Sequence, residues 1–279
     1  VGPGDEVILP AQTFIATGMV ILAERAKPVF CDIDPETGNI CPKSLAAKIT
    51  NRTKAVMPVH WAGYPCDLDE INALCCDTGL AVIEDAAHAL GAEYRGKPIG
   101  SISRFTAFSF QAIKHITTGD GGGLVCPGQA LAERGRLLRW AGLDRTRSDS
   151  MRCYQRISEA GFKIQSNDIA AAIGIANLDG ATQRVDACRA NAREFHKRLS
   201  NVPNVKLGPP DDNASWWFFP IRVSNPIRFE AFMAAEGVAV GQVDKHPGAD
   251  DVRVHGAHGG RSEVVALDEE RARLAVEAV

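Results

Sequence analysis

The sequence predicts an α/β fold in which a mostly parallel sheet is sandwiched by helices, followed by a smaller α+β carboxyl-terminal domain. Over the first 126 residues, short continuous apolar runs alternate with amphipathic stretches, as in sheets buried on both faces. Beyond residue 200 the pattern changes to one strong apolar strand and one helix. We therefore expect a large domain over residues 1–200 and a small domain over residues 201–279.

Each element follows from a local pattern. The expected strands of the large domain are EVIL (6–9), PVFCDI (28–33), KAVMPVH (54–60), LAVIED (80–85), RFTAFSF (104–110) and GGLVC (122–126). Helices are expected over about 13–24, 43–50 and 67–78. Asp67 with Glu70 resembles a capping box, and Gly79 is a natural helix stop. A long helix is expected over about 168–199, then a strand over 216–223 and a helix over about 227–237.

The composition excludes several classes of protein. The 279 residues are 45% hydrophobic and 23% charged, and the net charge of -3 gives no basic field for nucleic acid or an anionic membrane. No apolar run is long enough to span a bilayer. The eight cysteines contain no C-x-x-C pair, which fits reduced thiols in a cytoplasmic protein. No metal is expected, and His255 and His258 are assigned to a solvated loop.

Three predicted strands end in chemically useful residues. LAVIED ends in Asp85, with His88 one turn further on; FTAFSF leads to Ser109 and then Lys114; PVH ends in His60. Ligands of open α/β sheets bind outside the carboxyl ends of the strands, so these residues form a candidate site. Asp85 and Lys114 allow two interpretations that spacing alone leaves open. They form a structural ion pair, or they hold pyridoxal phosphate through its ring nitrogen and its aldehyde.

Two neighbouring segments have simpler interpretations. TTGDGGG (117–123) lacks the GK[ST] ending and the G-x-G-x-x-G spacing of nucleotide loops, and a strand follows it. We interpret it as a flexible turn beside Lys114. The aromatic stretch SWWFFPI (215–221) is expected to pack in the core and between the domains.

Several long motifs together resemble one family. GPGDEVILPAQTFIAT, KPVFCDIDPETGNI, RTKAVMPVHWAGYPCDLDEI, AVIEDAAHALGAEYRGKPIGS and FSFQAIKHITTGDGG occur in order and are similar to nucleotide-sugar aminotransferases of the DegT/StrS family. The resemblance covers residues 2 to about 199. It implies the fold-type I architecture of pyridoxal phosphate enzymes, with pyridoxal 5'-phosphate as the cofactor.

The resemblance also implies roles for individual residues. Lys114 matches the lysine that links covalently to the cofactor, and Asp85 matches the acidic partner of the ring nitrogen. His88 takes the position beside the ring and its O3' oxygen. Ser109 corresponds to a phosphate ligand, and Phe14 to the aromatic residue that stacks on the ring.

A further segment, GFKIQSNDIAAAIG, resembles the one that reaches the phosphate of a neighbouring subunit. Gln165 stands there at a position where the family often has Asn or Arg. We therefore expect Gln165 to contact the cofactor and the complete protein to be a homodimer with shared sites.

The implied activity is transfer of an amino group, with glutamate as the expected donor, to a keto sugar linked to a nucleotide diphosphate. The alternative is a non-catalytic or regulatory cofactor-binding homologue, or an inactive fragment. The alternative arises because the chain begins at Val1, without the family's phosphate-cradling turn. We expect a preceding segment to be missing, and a chain lacking it to dimerise poorly and hold the cofactor weakly. The carboxyl-terminal residues follow the family pattern only loosely.

Overall fold

The computed structural model describes residues 1–147, 151–242 and 263–267. The strands are β1 (Glu6–Pro10), β2 (Lys27–Cys31), β3 (Thr53–Val56), β4 (Ala81–Asp85), β5 (Glu93–Tyr94), β6 (Lys97–Pro98), β7 (Phe105–Ser109), β8 (Gly122–Val125), β9 (Val205–Leu207), β10 (Phe219–Val223), β11 (Val240–Gln242) and β12 (Glu263–Leu267). The helices are α1 (Ile15–Ala23), α2 (Pro42–Lys48), α3 (Leu68–Thr78), α4 (Gln129–Leu138), α5 (Asp168–Leu178), α6 (Ala181–Leu199) and α7 (Pro226–Ala235).

The central sheet has six strands in the order β2-β1-β3-β4-β7-β8. All neighbours are parallel except β7 and β8, which form an antiparallel pair at the edge. The side chains of β1 are buried along its whole length, as expected for a strand covered on both faces. The predicted α/β class with a mostly parallel sheet is confirmed.

Helix α3 begins and ends where its sequence predicts. The Asp67 side chain accepts a hydrogen bond from the backbone N–H of Glu70 at 3.3 Å, which satisfies one of the free donors of the first turn. Gly79 ends the helix in the left-handed conformation at φ +69°, which glycine adopts without steric cost. This helix leads directly into β4 and so sets where Asp85 lies.

The prediction of one helix over 168–199 is wrong, because α5 ends at Leu178 and α6 begins at Ala181. Gly180 lies at the break, and a β-carbon there would collide with the Arg184 guanidinium. That guanidinium donates hydrogen bonds to the carbonyl oxygens of Asn177 and His115. The break therefore lets a cation of α6 reach the backbone beside Lys114.

The second sheet is antiparallel, in the order β11-β12-β10-β9. Its strand β10 begins at Phe219 rather than at Trp216, because Trp216 has a φ of +47° and turns the chain. Trp216 and Phe219 pack with Phe195 of α6 in a buried cluster. The stretch predicted to pack in the core does so at these positions. His255 and His258 lie outside the described residues.

Within the described part of the chain, no helix combines the length and the apolar character that crossing a membrane requires.

Candidate cofactor site

Asp85 and Ser109 lie at the same edge of the central sheet. Strands β4 and β7 are parallel neighbours, with Asp85 opposite Ala107, so Ser109 follows two residues further along the adjacent strand. Lys114 comes five residues after Ser109, in the turn that leads to β8. The carboxyl ends of neighbouring parallel strands thus bring an acid, a hydroxyl and an amine to one edge.

The Asp85 carboxylate is held by two donors. Thr17 of α1 donates to Oδ2 from its hydroxyl at 2.7 Å, and the backbone N–H of Ala87 donates to Oδ1 at 3.1 Å. Thr17 is itself within 2.7 Å of the Thr13 hydroxyl. These contacts fix the orientation of the carboxylate while it remains half-buried.

The Lys114 amino group lies against an aromatic ring. Its Nζ is 3.3 Å from the centre of the Trp217 ring, and no ion pair joins it to Asp85 among the described residues. Burial lowers the pKa of Lys114 to about 8, although the negative charge of Asp85 acts in the opposite direction. Of the two interpretations that spacing left open, the structural ion pair is not found among the described residues. An amine with this pKa is partly uncharged near neutral pH, as an attacking nucleophile must be.

The backbone on either side of Lys114 is tied to distant segments. The carbonyl of Ile113 accepts a hydrogen bond from the indole N–H of Trp217 at 2.8 Å. The carbonyl of His115 accepts one from Arg184 of α6 at 2.5 Å. The turn that carries the lysine is thus held at both neighbouring residues, while Gly119 and Gly121 further on adopt positive φ values.

His88 lies beside this amine and is neutral. Its ring stacks on Trp217, with centroids 4.1 Å apart and 20° between the planes. Burial, together with Lys114 and His115 nearby, holds the pKa of His88 well below its ordinary value. Its Nδ1 atom is buried and has no hydrogen-bond partner among the described residues. A buried polar atom without a partner is costly, so this nitrogen is a candidate for contact with a ligand.

Three predicted site residues remain: Ser109, Phe14 and Gln165. Ser109 accepts a hydrogen bond from the Gln111 backbone N–H at 3.3 Å. Phe14 precedes α1 and is 74% exposed, so its ring is free to cover a ligand. Gln165 has a buried Oε1 atom that lacks a partner in the described residues. None of the contacts found there joins Phe14 or Gln165 to Lys114.

Sequence reasoning missed the buried pair behind Asp85. His60 was noted at a strand end, but its ring is fully buried and its Nε2 lies 2.6 Å from Glu84. The His60 Nδ1 atom accepts a hydrogen bond from the Cys66 N–H, so the proton is on Nε2 and points at Glu84. Burial opposes ionisation of Glu84, but the hydrogen bonds of His60 and Ser103 outweigh it and lower the pKa of Glu84. The adjacency of Glu84 to Asp85 in a buried strand was the available signal.

Trp217 was also missed as a site residue. The aromatic stretch was assigned to packing as a whole, because its pattern does not separate a ring in the core from one beside a lysine. Trp216 is buried in the core cluster, whereas Trp217 contacts both His88 and Lys114.

The residues present fit pyridoxal phosphate. They supply an amine of lowered pKa, an oriented carboxylate, a buried nitrogen without a partner and a free aromatic face. Among the described residues, no group of three or more His, Cys, Asp or Glu side chains could hold a metal ion. A central parallel sheet with this set at its edge defines the class of fold-type I pyridoxal phosphate proteins.

Comparison with known proteins specifies the family. The model of the DegT/DnrJ/EryC1/StrS aminotransferase family matches residues 1–243, and the chain belongs to this family. Pyridoxal phosphate is accordingly its cofactor.

Curated relatives and solved structures agree with this assignment. The chain is 51% identical over 229 residues to an uncharacterized protein of Methanocaldococcus jannaschii, covering 79% of this chain and 58% of that protein. It is 43% identical over 230 residues to the spore coat polysaccharide biosynthesis protein SpsC of Bacillus subtilis, covering 80% and 59%. The chain thus spans less than two thirds of the length of these relatives.

Two crystal structures have the same fold over nearly the whole chain. The sugar aminotransferase CalS13 from Micromonospora echinospora matches with a TM-score of 0.86 and 32% identity, covering 99% of this chain and 80% of that one. AtS13 from Actinomadura melliaura matches with a TM-score of 0.88 and 35% identity, covering 99% and 79%.

Proposed function

We propose that the complete protein is a cytoplasmic aminotransferase that moves an amino group, from glutamate, onto a keto sugar linked to a nucleotide diphosphate. The observation that carries the proposal is the placement of Lys114 and Asp85 at one edge of the sheet, with the amine at a lowered pKa. The similarity to SpsC, a polysaccharide biosynthesis protein, and to CalS13, a sugar aminotransferase, supports the substrate class.

The residues of the chain would have the following roles. Bound pyridoxal phosphate supplies an electron sink for bonds at the amino-bearing carbon. Asp85, held by Thr17, keeps the ring nitrogen of the cofactor protonated. Lys114 anchors the cofactor and then carries a proton at Nζ, a role for which a pKa near neutrality is well suited.

Three further residues would bind the cofactor. Neutral His88 offers its partnerless Nδ1 to an oxygen of the ring. Phe14 covers a ring face. Ser109 donates its hydroxyl to the phosphate, and Gln165 is assigned to the phosphate of a neighbouring subunit. We also propose a boundary between a large and a small domain near residue 200, where α6 ends and β9 follows.

The decisive experiment replaces Lys114 by Ala. The variant should lose the absorbance of the lysine–cofactor adduct and the transfer of an amino group from glutamate to a panel of nucleotide-linked keto sugars. General acid–base transfer alone contributes about 10²–10⁴ in rate, so the loss should be at least that large. Lys197→Ala is the matched control, because Lys197 is exposed on α6 and its ion pair among the described residues is with Glu194 at 3.9 Å. Near-normal transfer by the Lys114 variant would refute the assignment.

The same assay separates the alternative function. A wild-type chain that forms the adduct but transfers no amino group to any sugar of the panel would be a cofactor-binding homologue without catalysis, or an inactive fragment.

We propose further that the assembled protein is a homodimer. Helix α5 is strongly apolar, yet none of its residues is buried in the described chain; Ile169 and Ile175 are 76% and 68% exposed. Exposed apolar faces of this kind mark protein interfaces. In sedimentation analysis, Ile169→Glu should convert the dimer to monomers. Ile227→Glu on α7, where Ile227 is 73% exposed, should leave the dimer intact. A dimer unaffected by the first change would place the interface elsewhere.

A further inference from the structure

Trp217 contacts two groups of the candidate cofactor site. Its ring stacks on His88 at 4.1 Å, and the Lys114 Nζ lies 3.3 Å from the ring centre. The indole therefore contacts both groups of the site.

The position of this indole is fixed by hydrogen bonds. Its N–H donates to the carbonyl of Ile113, the residue before Lys114, at 2.8 Å. Its backbone N–H donates to the carbonyl of Ala62 at 2.9 Å. The ring can therefore neither turn away from Lys114 nor slide along it without breaking a hydrogen bond.

Ser215, two residues before Trp217, contacts His88 and the residue that follows Lys114. The Ser215 hydroxyl donates to the carbonyl of His88 at 2.8 Å, and the Ser215 carbonyl lies 3.1 Å from the Nε2 of His115. The Ser215 N–H donates to the carbonyl of Gly63 at 3.0 Å. A side chain at Gly63 would collide with the Ser215 hydroxyl and the His88 carbonyl, so the approach is close. Residues 215–217 thus contact His88, Lys114 and both chain neighbours of Lys114.

We propose that Trp217 is a positioning residue that sets the place and the exposure to water of the Lys114 amino group, and that orients His88 by stacking on its ring. This inference rests on the proposed role of Lys114 as the reactive amine. Trp217 is assigned no bond-making or proton-transfer step of its own and acts through Lys114 and His88.

The effect of the ring on the amine has two opposing parts. Contact of an ammonium with an indole face favours the charged form. Covering the amine excludes water and favours the uncharged form. Burial is the leading cause of the lowered pKa of Lys114, about 8, so exclusion of water is the larger effect. Replacing the indole by a smaller apolar side chain should therefore raise the pKa toward the ordinary value of 10.5.

The test measures the amine without cofactor. Cofactor-free protein is treated with acetic anhydride across a pH series, and acetylation of Lys114 is quantified by peptide mass spectrometry. Wild type should titrate near pH 8. In Trp217→Leu the midpoint should rise by about one unit, which is about tenfold less uncharged amine at neutral pH. Trp217→Phe keeps a ring face and should keep the midpoint close to that of wild type.

Controls distinguish this role from a loss of folding. Lys163 lies 4.0 Å from the centre of the Trp140 ring, a second lysine–indole contact in the same chain. The acetylation profile of Lys163 should be unchanged in both Trp217 variants, and Trp140→Leu should leave the Lys114 midpoint unchanged. An unchanged or lowered Lys114 midpoint in Trp217→Leu would overturn the proposal, as would equal shifts in the Leu and Phe variants. Because no cofactor or sugar is used, the outcome does not depend on whether the chain transfers amino groups.

Discussion

Replacing Glu84 by Gln should destabilise the fold, because the buried carboxylate accepts from three donors that an amide cannot serve together. Its Oε2 accepts from the His60 Nε2–H at 2.6 Å. Its Oε1 accepts from the Ser103 N–H at 3.1 Å and the Thr106 hydroxyl at 3.2 Å. The Cys66 N–H holds the Nδ1 of His60 as an acceptor, so the ring cannot turn its own lone pair toward position 84.

The size of the effect follows from these partners. Whichever way the amide is turned, its NH₂ group faces either His60 or the Ser103 N–H, and two buried donors then oppose each other. One buried donor without a partner costs about 1–3 kcal/mol. We expect the free energy of unfolding to fall by about that amount, since the amide keeps the volume of the side chain and creates no cavity.

Urea denaturation followed by circular dichroism provides the assay. Glu93→Gln is the matched control, because Glu93 is exposed and a surface change of this kind usually alters stability by less than about 0.5 kcal/mol. Since folding lowers the pKa of Glu84, its contribution to stability is complete at pH values above the ordinary carboxyl pKa. That contribution is lost as the pH falls through the lowered pKa of the folded protein. A Glu84→Gln variant as stable as the control at neutral pH would refute the reasoning.

Two further changes test other parts of the same sheet. Thr17→Val removes the hydroxyl that donates to Asp85 at 2.7 Å. A hydrogen bond to a charged group contributes about 1.5–3 kcal/mol, so a spectral titration should show cofactor affinity reduced about tenfold or more. An affinity equal to that of wild type would contradict this. The hydrogen bonds of Thr50 and Arg52 lower the pKa of Glu6 from 4.5 to about 2, so its stabilising contribution is complete above about pH 4.5 and is lost as the pH falls toward 2. Glu6→Gln should reduce the loss of stability on acidification. If the free energies of unfolding of variant and wild type fell equally with pH, the assignment would be wrong.

The elements that could be predicted are those fixed by neighbours in sequence. The cap at Asp67, the stop at Gly79 and the end of β4 at Asp85 each depend on residues within a few positions, and the structure has all three. The break between α5 and α6 could not be predicted in this way. It is stabilised by Arg184, which reaches the carbonyl of His115 across 69 positions of sequence, and local helix propensity carries no information about such a contact.

In the candidate site, too, some features follow from the local sequence and others from distant contacts. Asp85, Ser109 and Lys114 could be placed together because the carboxyl ends of adjacent parallel strands meet at one edge. The surroundings of the Lys114 amine could not be predicted, because the indole of Trp217 belongs to a segment 103 positions further along the chain. Periodicity assigns that tryptophan to the core as readily as its neighbour Trp216.

This division has a physical consequence for how the site responds to change. The acid depends on its own strand of the central sheet and on Thr17 of helix α1. The amine depends on the segment before β10, whose strand belongs to the second sheet. A shift of that sheet relative to the first would therefore move the indole and change the exposure of Lys114, while leaving the carboxylate of Asp85 in place. Under the proposed roles, the reactivity of the Lys114 amine is coupled to the arrangement of the two sheets, whereas the contact of Asp85 with the cofactor ring is not.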